Sequence, residues 1–215
     1  MNNDSLHKAQ SQKQQLKLNT KFWLAIKKNQ IDKARRLLNQ GATLHKVTGV
    51  ALRRYNLDEN TPLHIAAQSG FLKIVALLLE FGMKIDVTNR LDQTPLQWSA
   101  YYGHIETVKY LVEQGANIHK LDRDGDPALT WAASKGHFQV VDYLIAQGAD
   151  PKKVSSFGNT ALHWVAIAGE VEMAKYLIDL GCDPTLKNKQ DKTALDLAVE
   201  NAHPQMVKIL TKNSE

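Results

Sequence analysis

The sequence predicts an all-α-dominated repeat solenoid, a stack of helix–turn–helix units, and three observations carry that prediction. Thr61, Thr94, Pro127, Thr160 and Thr193 recur at an unbroken interval of 33 residues. Two rows of glycine keep the same interval, Gly70, Gly103, Gly136 and Gly169 in one and Gly82, Gly115, Gly148 and Gly181 in the other. Between these markers the text itself repeats, as in "TPLHIAAQSGFLKIVALLLEFG" from Thr61 and "TALHWVAIAGEVEMAKYLIDLG" from Thr160. Self-similarity at a period of 20–50 residues marks a chain built by stacking one small unit.

Each unit parses by local rules. Thr61 suits a helix N-cap, and Pro62 suits the first helical position, where a missing N–H costs nothing. Leu63, Ile65, Ala66 and Ala67 then make a short helix, with small residues that let a neighbour approach. Gly70 breaks it. A second, longer helix follows, with Ile74, Val75, Leu77, Leu78 and Leu79 facing inward. Gly82 closes that helix, and a polar stretch such as "ANIHKLDRDGD" turns into the next unit. A unit of this size cannot bury its apolar faces alone, so it must stack on copies of itself.

These residues resemble the ankyrin repeat, whose 33-residue unit carries a T-P-L-H-x-A pattern. The resemblance covers residues 20–213, with repeats near 20–52, 57–89, 90–122, 123–155, 156–188 and 189–213. It implies an ankyrin-type stack of helix–turn–helix units with short β-hairpin fingers, curved so that fingers and first helices form a concave face. The first and last units read as caps: "TKFWLAIKKNQIDKARRLLNQG" is basic on its outer face, and the last unit has Ala202 where the helix-breaking glycine belongs. Eight extra residues enlarge the loop within 42–60. Residues 1–19, basic and poor in apolar groups, are expected to form a flexible segment ahead of the repeats.

The composition is that of an ordinary soluble domain, 43% hydrophobic and 23% charged. No apolar run is long enough for a membrane span, and no secretory leader is evident. One cysteine, Cys182, builds no disulfide framework, so a reducing compartment is expected: cytoplasmic, with the nucleus or delivery into a host cell as alternatives. The formal charge of +5 is unevenly placed. Residues 1–56 carry twelve Lys or Arg and two acidic groups, and the remainder fifteen and twenty.

The chain contains no motif for catalysis, metal binding or a cofactor, and none of the three is expected. Five of the eight histidines, His64, His163, His104, His137 and His203, sit in repeat frames and read as framework. No C-x-x-C, H-E-x-x-H, phosphate-cradling glycine loop or G-x-S-x-G occurs. Cys182 reads as an inert thiol in a small slot.

Function is therefore sought where residues exceed what folding asks for. In the family frame the variable positions are finger tips and first-helix ends. They give Arg90, Leu91, Tyr101 and Tyr102 in the third unit, Arg123, Asp124 and Lys135 in the fourth, and Phe157 in the fifth. Trp98, Trp131 and Trp164 share the frame of Ile65 on the first helix. Packing between repeats explains that column, although its polar edges could line a surface. Arg53, Arg54 and Tyr55 in the enlarged loop would close one end. Exposed tyrosine beside arginine is the composition of binding hot spots. The expected function is a non-enzymatic interaction module, an adaptor, inhibitor or effector, acting as a monomer on a partner peptide segment or helix of acidic character. The alternative is an anion binder, holding nucleic acid, a phosphoprotein or an acidic lipid surface through the basic N-terminal third.

Overall fold

The computed structural model describes residues 3–44 and 59–213. Within them twelve helices run in order: α1 (Asn3–Lys27), α2 (Ile31–Asn39), α3 (Pro62–Gln68), α4 (Leu72–Glu80), α5 (Pro95–Tyr101), α6 (Ile105–Glu113), α7 (Ala128–Ala133), α8 (Phe138–Ala146), α9 (Ala161–Ala168), α10 (Val171–Asp179), α11 (Ala194–Glu200) and α12 (Pro204–Lys212). The helices pair within each repeat and then stack into two rows. The odd-numbered helices form an inner row, each packed on the next, and the even-numbered ones an outer row.

Side-chain size explains the two rows. Inner helices bury small residues, among them Ala66, Ala67, Ser99, Ala100, Ala132, Ala133 and Ala166, all completely covered. Outer helices bury bulk, with Ile74, Leu77 and Leu78 in α4, Leu111 in α6, Leu144 in α8 and Met173 and Leu177 in α10. The tyrosine ladder Tyr110, Tyr143 and Tyr176 packs half-buried against the same core.

The inner helices start on a repeated capping device. The Thr94 N–H donates to Oε1 of Gln97 at 2.7 Å, and Thr94 Oγ1 accepts from the Gln97 N–H at 3.2 Å. Thr160 and His163 use the same positions differently. Nδ1 of His163 accepts from the Thr160 N–H at 3.1 Å, which leaves Nε2 to donate to the Lys192 carbonyl at 3.2 Å. The third helical residue, His64, Gln97 or His163, thus also ties the second, third and fifth repeats to the following finger.

The fingers correct one expectation. No β-strand occurs among the described residues, so the hairpin fingers implied by the resemblance are absent. Each finger is instead a turn closed by two backbone bonds: Asn89 N–H to Gln93 O at 3.1 Å, Asp122 to Asp126 at 3.2 Å, Ser155 to Asn159 at 2.8 Å and Asn188 to Lys192 at 2.9 Å, each with a return bond to the first residue's carbonyl from the N–H three residues on. A side chain at the first position braces the turn, as where Asn89 Oδ1 accepts from the Leu91 and Gln93 N–H groups. Adjacent fingers are joined by single backbone bonds, Arg123 N–H to Leu91 O, Ser156 to Asp124 O and Lys189 to Phe157 O. One backbone bond per neighbour does not make a ladder, because the turn residues flanking it are spent on bracing their own finger.

At the N-terminal end, α1 runs unbroken through residues 3–19 and into the first repeat. Gln15 Nε2 reaches the Gly41 carbonyl at 2.9 Å, and Asn19 bonds both the side chain and the N–H of Thr43. Most of the enlarged loop, with Arg53, Arg54 and Tyr55, lies outside the described residues. No helix is long and apolar enough to cross a membrane among the described residues.

Candidate functional site

The finger side of the third, fourth and fifth repeats gathers most of the residues singled out in the sequence. The inner helices α5, α7 and α9 each present one tryptophan toward the fingers, since Trp98, Trp131 and Trp164 occupy equivalent helical positions. All three are half-buried, and each indole N–H is held by a finger. Trp98 donates to Oε1 of Gln93 at 3.1 Å, Trp131 to Oδ2 of Asp122 at 2.9 Å and Trp164 to Oδ1 of Asp126 at 3.2 Å.

Tyr101 and Tyr102 extend this column into a continuous aromatic cluster. Their rings meet edge to face at 5.1 Å; Tyr101 stands edge-on to Trp131 at 5.2 Å, and Tyr102 stacks on Trp98 at 6.2 Å. Such pairs add about 0.5–1.5 kcal/mol beyond their burial, enough to fix ring orientation. Tyr102 remains 42% exposed and its hydroxyl accepts from Gln68 Nε2 at 2.9 Å. Lys135 places its ammonium 4.9 Å above the Tyr101 ring, a cation–π contact.

The polar members are distributed along the same side. Arg123 lies 3.8 Å from Asp92 and donates a short hydrogen bond to the Arg90 carbonyl, so its charge is partly engaged within the fingers. Arg90 and Asp124 are exposed, Leu91 is half-buried, and Phe157 stands 56% exposed at the tip of the next finger. Among the candidates, Arg53, Arg54 and Tyr55 lie outside the described residues.

Between Tyr101, Trp131 and Trp164 opens a cleft of about 250 Å³ that Asp122, Asp124 and Asp126 also line. Burial and the neighbouring carboxylates raise the Asp126 pKa to about 7, and burial likewise raises that of Asp122. Asp122 was not singled out in the sequence. The signal was present in "DRDGD", which spaces three acids two apart on one turn.

A family model described as "Ankyrin repeats (3 copies)" matches residues 4–89, 22–122, 81–155 and 129–215, together nearly the whole chain. The chain belongs to the ankyrin-repeat family. No curated protein matched it. Ankyrin stacks are non-catalytic scaffolds, and the six repeats here include a capping unit at each end. Among the described residues no three His, Cys, Asp or Glu side chains converge to hold a metal ion.

The ankyrin framework accounts for the histidines. His104, His137 and His203 each direct Nε2 to a carbonyl of the preceding repeat, at Gln68, Tyr101 and Ile167, at 2.8–2.9 Å. Cys182 is buried, its thiol 3.5 Å from the Pro151 carbonyl and its pKa pushed up to about 11 by burial. A thiol held so far from ionisation is a poor nucleophile.

Proposed function

We propose that this ankyrin stack grips a segment of another protein on its finger-side face, concave in ankyrin stacks, centred on the third to fifth repeats. One observation carries the reading: Tyr101 and Tyr102 form an aromatic surface where the equivalent positions of other repeats hold Gln68–Ser69 and Ser134–Lys135. Folding does not ask for aromatic rings there. The cluster is also locked in place by Trp98, Trp131 and Lys135 before any partner arrives. A partner therefore meets a surface that loses little entropy on binding.

Arg90, Arg123 and Lys135 rim the cluster and suit acidic side chains on the bound segment, while Phe157 offers an apolar contact further along. A protein so built acts as an adaptor, inhibitor or effector, in a reducing compartment such as the cytoplasm. The test is selection of binding peptides from a displayed random library, followed by titration of the selected peptides against the Tyr101→Ala/Tyr102→Ala double variant. Affinity should fall by about thirtyfold or more, the loss of one or two hot-spot side chains. Unchanged affinity overturns the assignment of this face. Binding that instead needs residues 1–56 and weakens steeply with salt would point to the anion-binding alternative.

A further inference from the structure

The cleft between Trp131 and Trp164 carries charge that the ankyrin framework does not require. The brace position of each finger holds Asn89, Asp122, Ser155 or Asn188, and the closing position holds Asn60, Gln93, Asp126, Asn159 or Lys192. Elsewhere the brace is neutral, and no other closing residue is acidic. Asn188 Oδ1 accepts from the Gln190 and Lys192 N–H groups just as Asp122 Oδ1 accepts from those of Asp124 and Asp126. Neutral pairs also link neighbouring fingers, Asn89 to Asn60 at 2.7 Å and Asn188 to Asn159 at 2.9 Å. In this finger alone the two positions are both carboxylates.

None of the ion pairs among the described residues involves Asp122, Asp124 or Asp126. Asp126 is 95% buried as a residue, its Oδ1 takes the Trp164 indole proton, and its Oδ2 meets no donor among the described residues. That oxygen is open to the cleft rather than sealed in the interior, so a donor entering the cleft can reach it. The walls around it are aromatic, and Tyr101 already takes the ammonium of Lys135 over its ring. The volume of about 250 Å³ is below the usual range for small-molecule sites and suits one long side chain.

We propose that the cleft receives a single arginine side chain from the bound partner segment. This rests on the proposed finger-side reading and refines it: the segment carries a central basic residue, flanked by acidic ones that meet Arg90, Arg123 and Lys135. Arginine is favoured over lysine because its flat guanidinium lies against indole and phenol rings while its fork of N–H donors reaches Asp126 Oδ2 and the exposed Asp124 carboxylate.

The test uses the full chain and a minimal probe, N-acetyl-arginine amide, with the four tryptophan indole N–H signals followed by NMR. The expected result is saturable movement of the Trp131 and Trp164 signals, with a dissociation constant on the order of 1 mM, while Trp23 in the first repeat stays put. N-acetyl-citrulline amide, flat but uncharged, should bind about tenfold more weakly or not at all. Asp124→Asn, at a position whose side chain makes no bond, should weaken arginine about threefold, and Asp126→Asn about tenfold. Both keep an acceptor or an exposed amide where the fold needs one, and a far-ultraviolet circular dichroism spectrum checks that they do. Equal shifts with citrulline, with N-acetyl-glutamate amide or with sodium chloride at matched ionic strength overturn the proposal, as does arginine binding untouched by both substitutions. Because arginine itself is read, such a failure leaves the Tyr101 and Tyr102 test standing; loss of peptide binding in that double variant with normal arginine titration separates the opposite case.

Discussion

A methyl group added at Gly103 would fall 2.5 Å from Nδ1 of His137. The contact spans two repeats, and the same imidazole holds the Tyr101 carbonyl at 2.9 Å. Gly103 is therefore a packing position as well as a turn: its backbone sits at φ +71, and the space beside it belongs to the next repeat's histidine. The framework bond that sets the end of α5 thereby also sets where Tyr101 stands.

Gly103→Ala should then destabilise the stack by about 2–3 kcal/mol, part from the left-handed backbone and part from displacing His137. Urea unfolding measures it. Because His137 must move, the ring of Tyr101 shifts too, and peptide binding should weaken more than for Gly82→Ala, where an added Cβ meets no atom within 4 Å.

The last repeat invites the reverse substitution. Ala202 occupies the frame of Gly70, Gly103, Gly136 and Gly169 and takes their left-handed backbone at φ 55. No histidine of a following repeat fills the space beside it among the described residues. Ala202→Gly should stabilise the protein by about 1 kcal/mol through relief of backbone strain, reduced by the extra freedom glycine gains on unfolding. A rise of about 2–4 °C in the melting temperature is the corresponding readout.

Asp126 makes stability depend on pH in an unusual direction. Its folded pKa of about 7 stands above the ordinary 3.8, chiefly through burial and then the charge of Asp122. Above pH 7 both folded and unfolded chains carry the ionised group, and the folded chain bears the full cost. As pH falls from 7 toward 4 the folded chain takes up the proton first, so this group adds stability on acidification. Asp126→Asn should melt higher than the wild type at pH 8, and the difference should shrink by pH 5. Arg123, the nearest cation on the finger, is engaged with Asp92 and does not offset the effect.

His163 pulls the other way. Burial lowers its pKa from the ordinary 6.5, outweighing the carbonyl bonds that favour the charged ring. Below pH 6.5 the unfolded chain gains a proton that the folded one resists, so stability is lost as pH falls through that value. Gln97, in the same frame, makes both the capping bond and the bond to the following finger without titrating. His163→Gln should therefore cost less than about 1 kcal/mol at pH 7.5 and flatten the acid side of the melting curve; His163→Ala, which leaves the Thr160 N–H unmet and takes one of two donors from the Lys192 carbonyl, should cost about 1–3 kcal/mol.

Much of this architecture is legible in the sequence because the determinants are local and repeated. Thr94 caps α5, Pro95 opens it, and Ala100 admits the neighbouring helix, so spacing alone located the inner row. The finger conformation was not legible. Asn89 and its equivalents look like ordinary turn residues in sequence, and only the structure shows their side chains consuming the N–H groups a hairpin would need. The candidate site was half visible: Tyr101 and Tyr102 stood out as aromatic exceptions in their frame. Asp122 did not, because its neighbours in register, Asn89 and Asn188, differ from it by one amide group, and the loss of neutrality matters only once Asp124 and Asp126 are seen across the same cleft.

The inner and outer rows touch mainly their immediate neighbours, and that has a mechanical meaning. A tug on the two ends would meet no long-range clasp that must yield all at once. Each 33-residue unit would peel away in turn, releasing roughly 110 Å of slack per step. A guest laid across Tyr101, Trp131 and Trp164 would stitch three such steps into one, so the force trace of the loaded molecule would show fewer and taller events than that of the empty one.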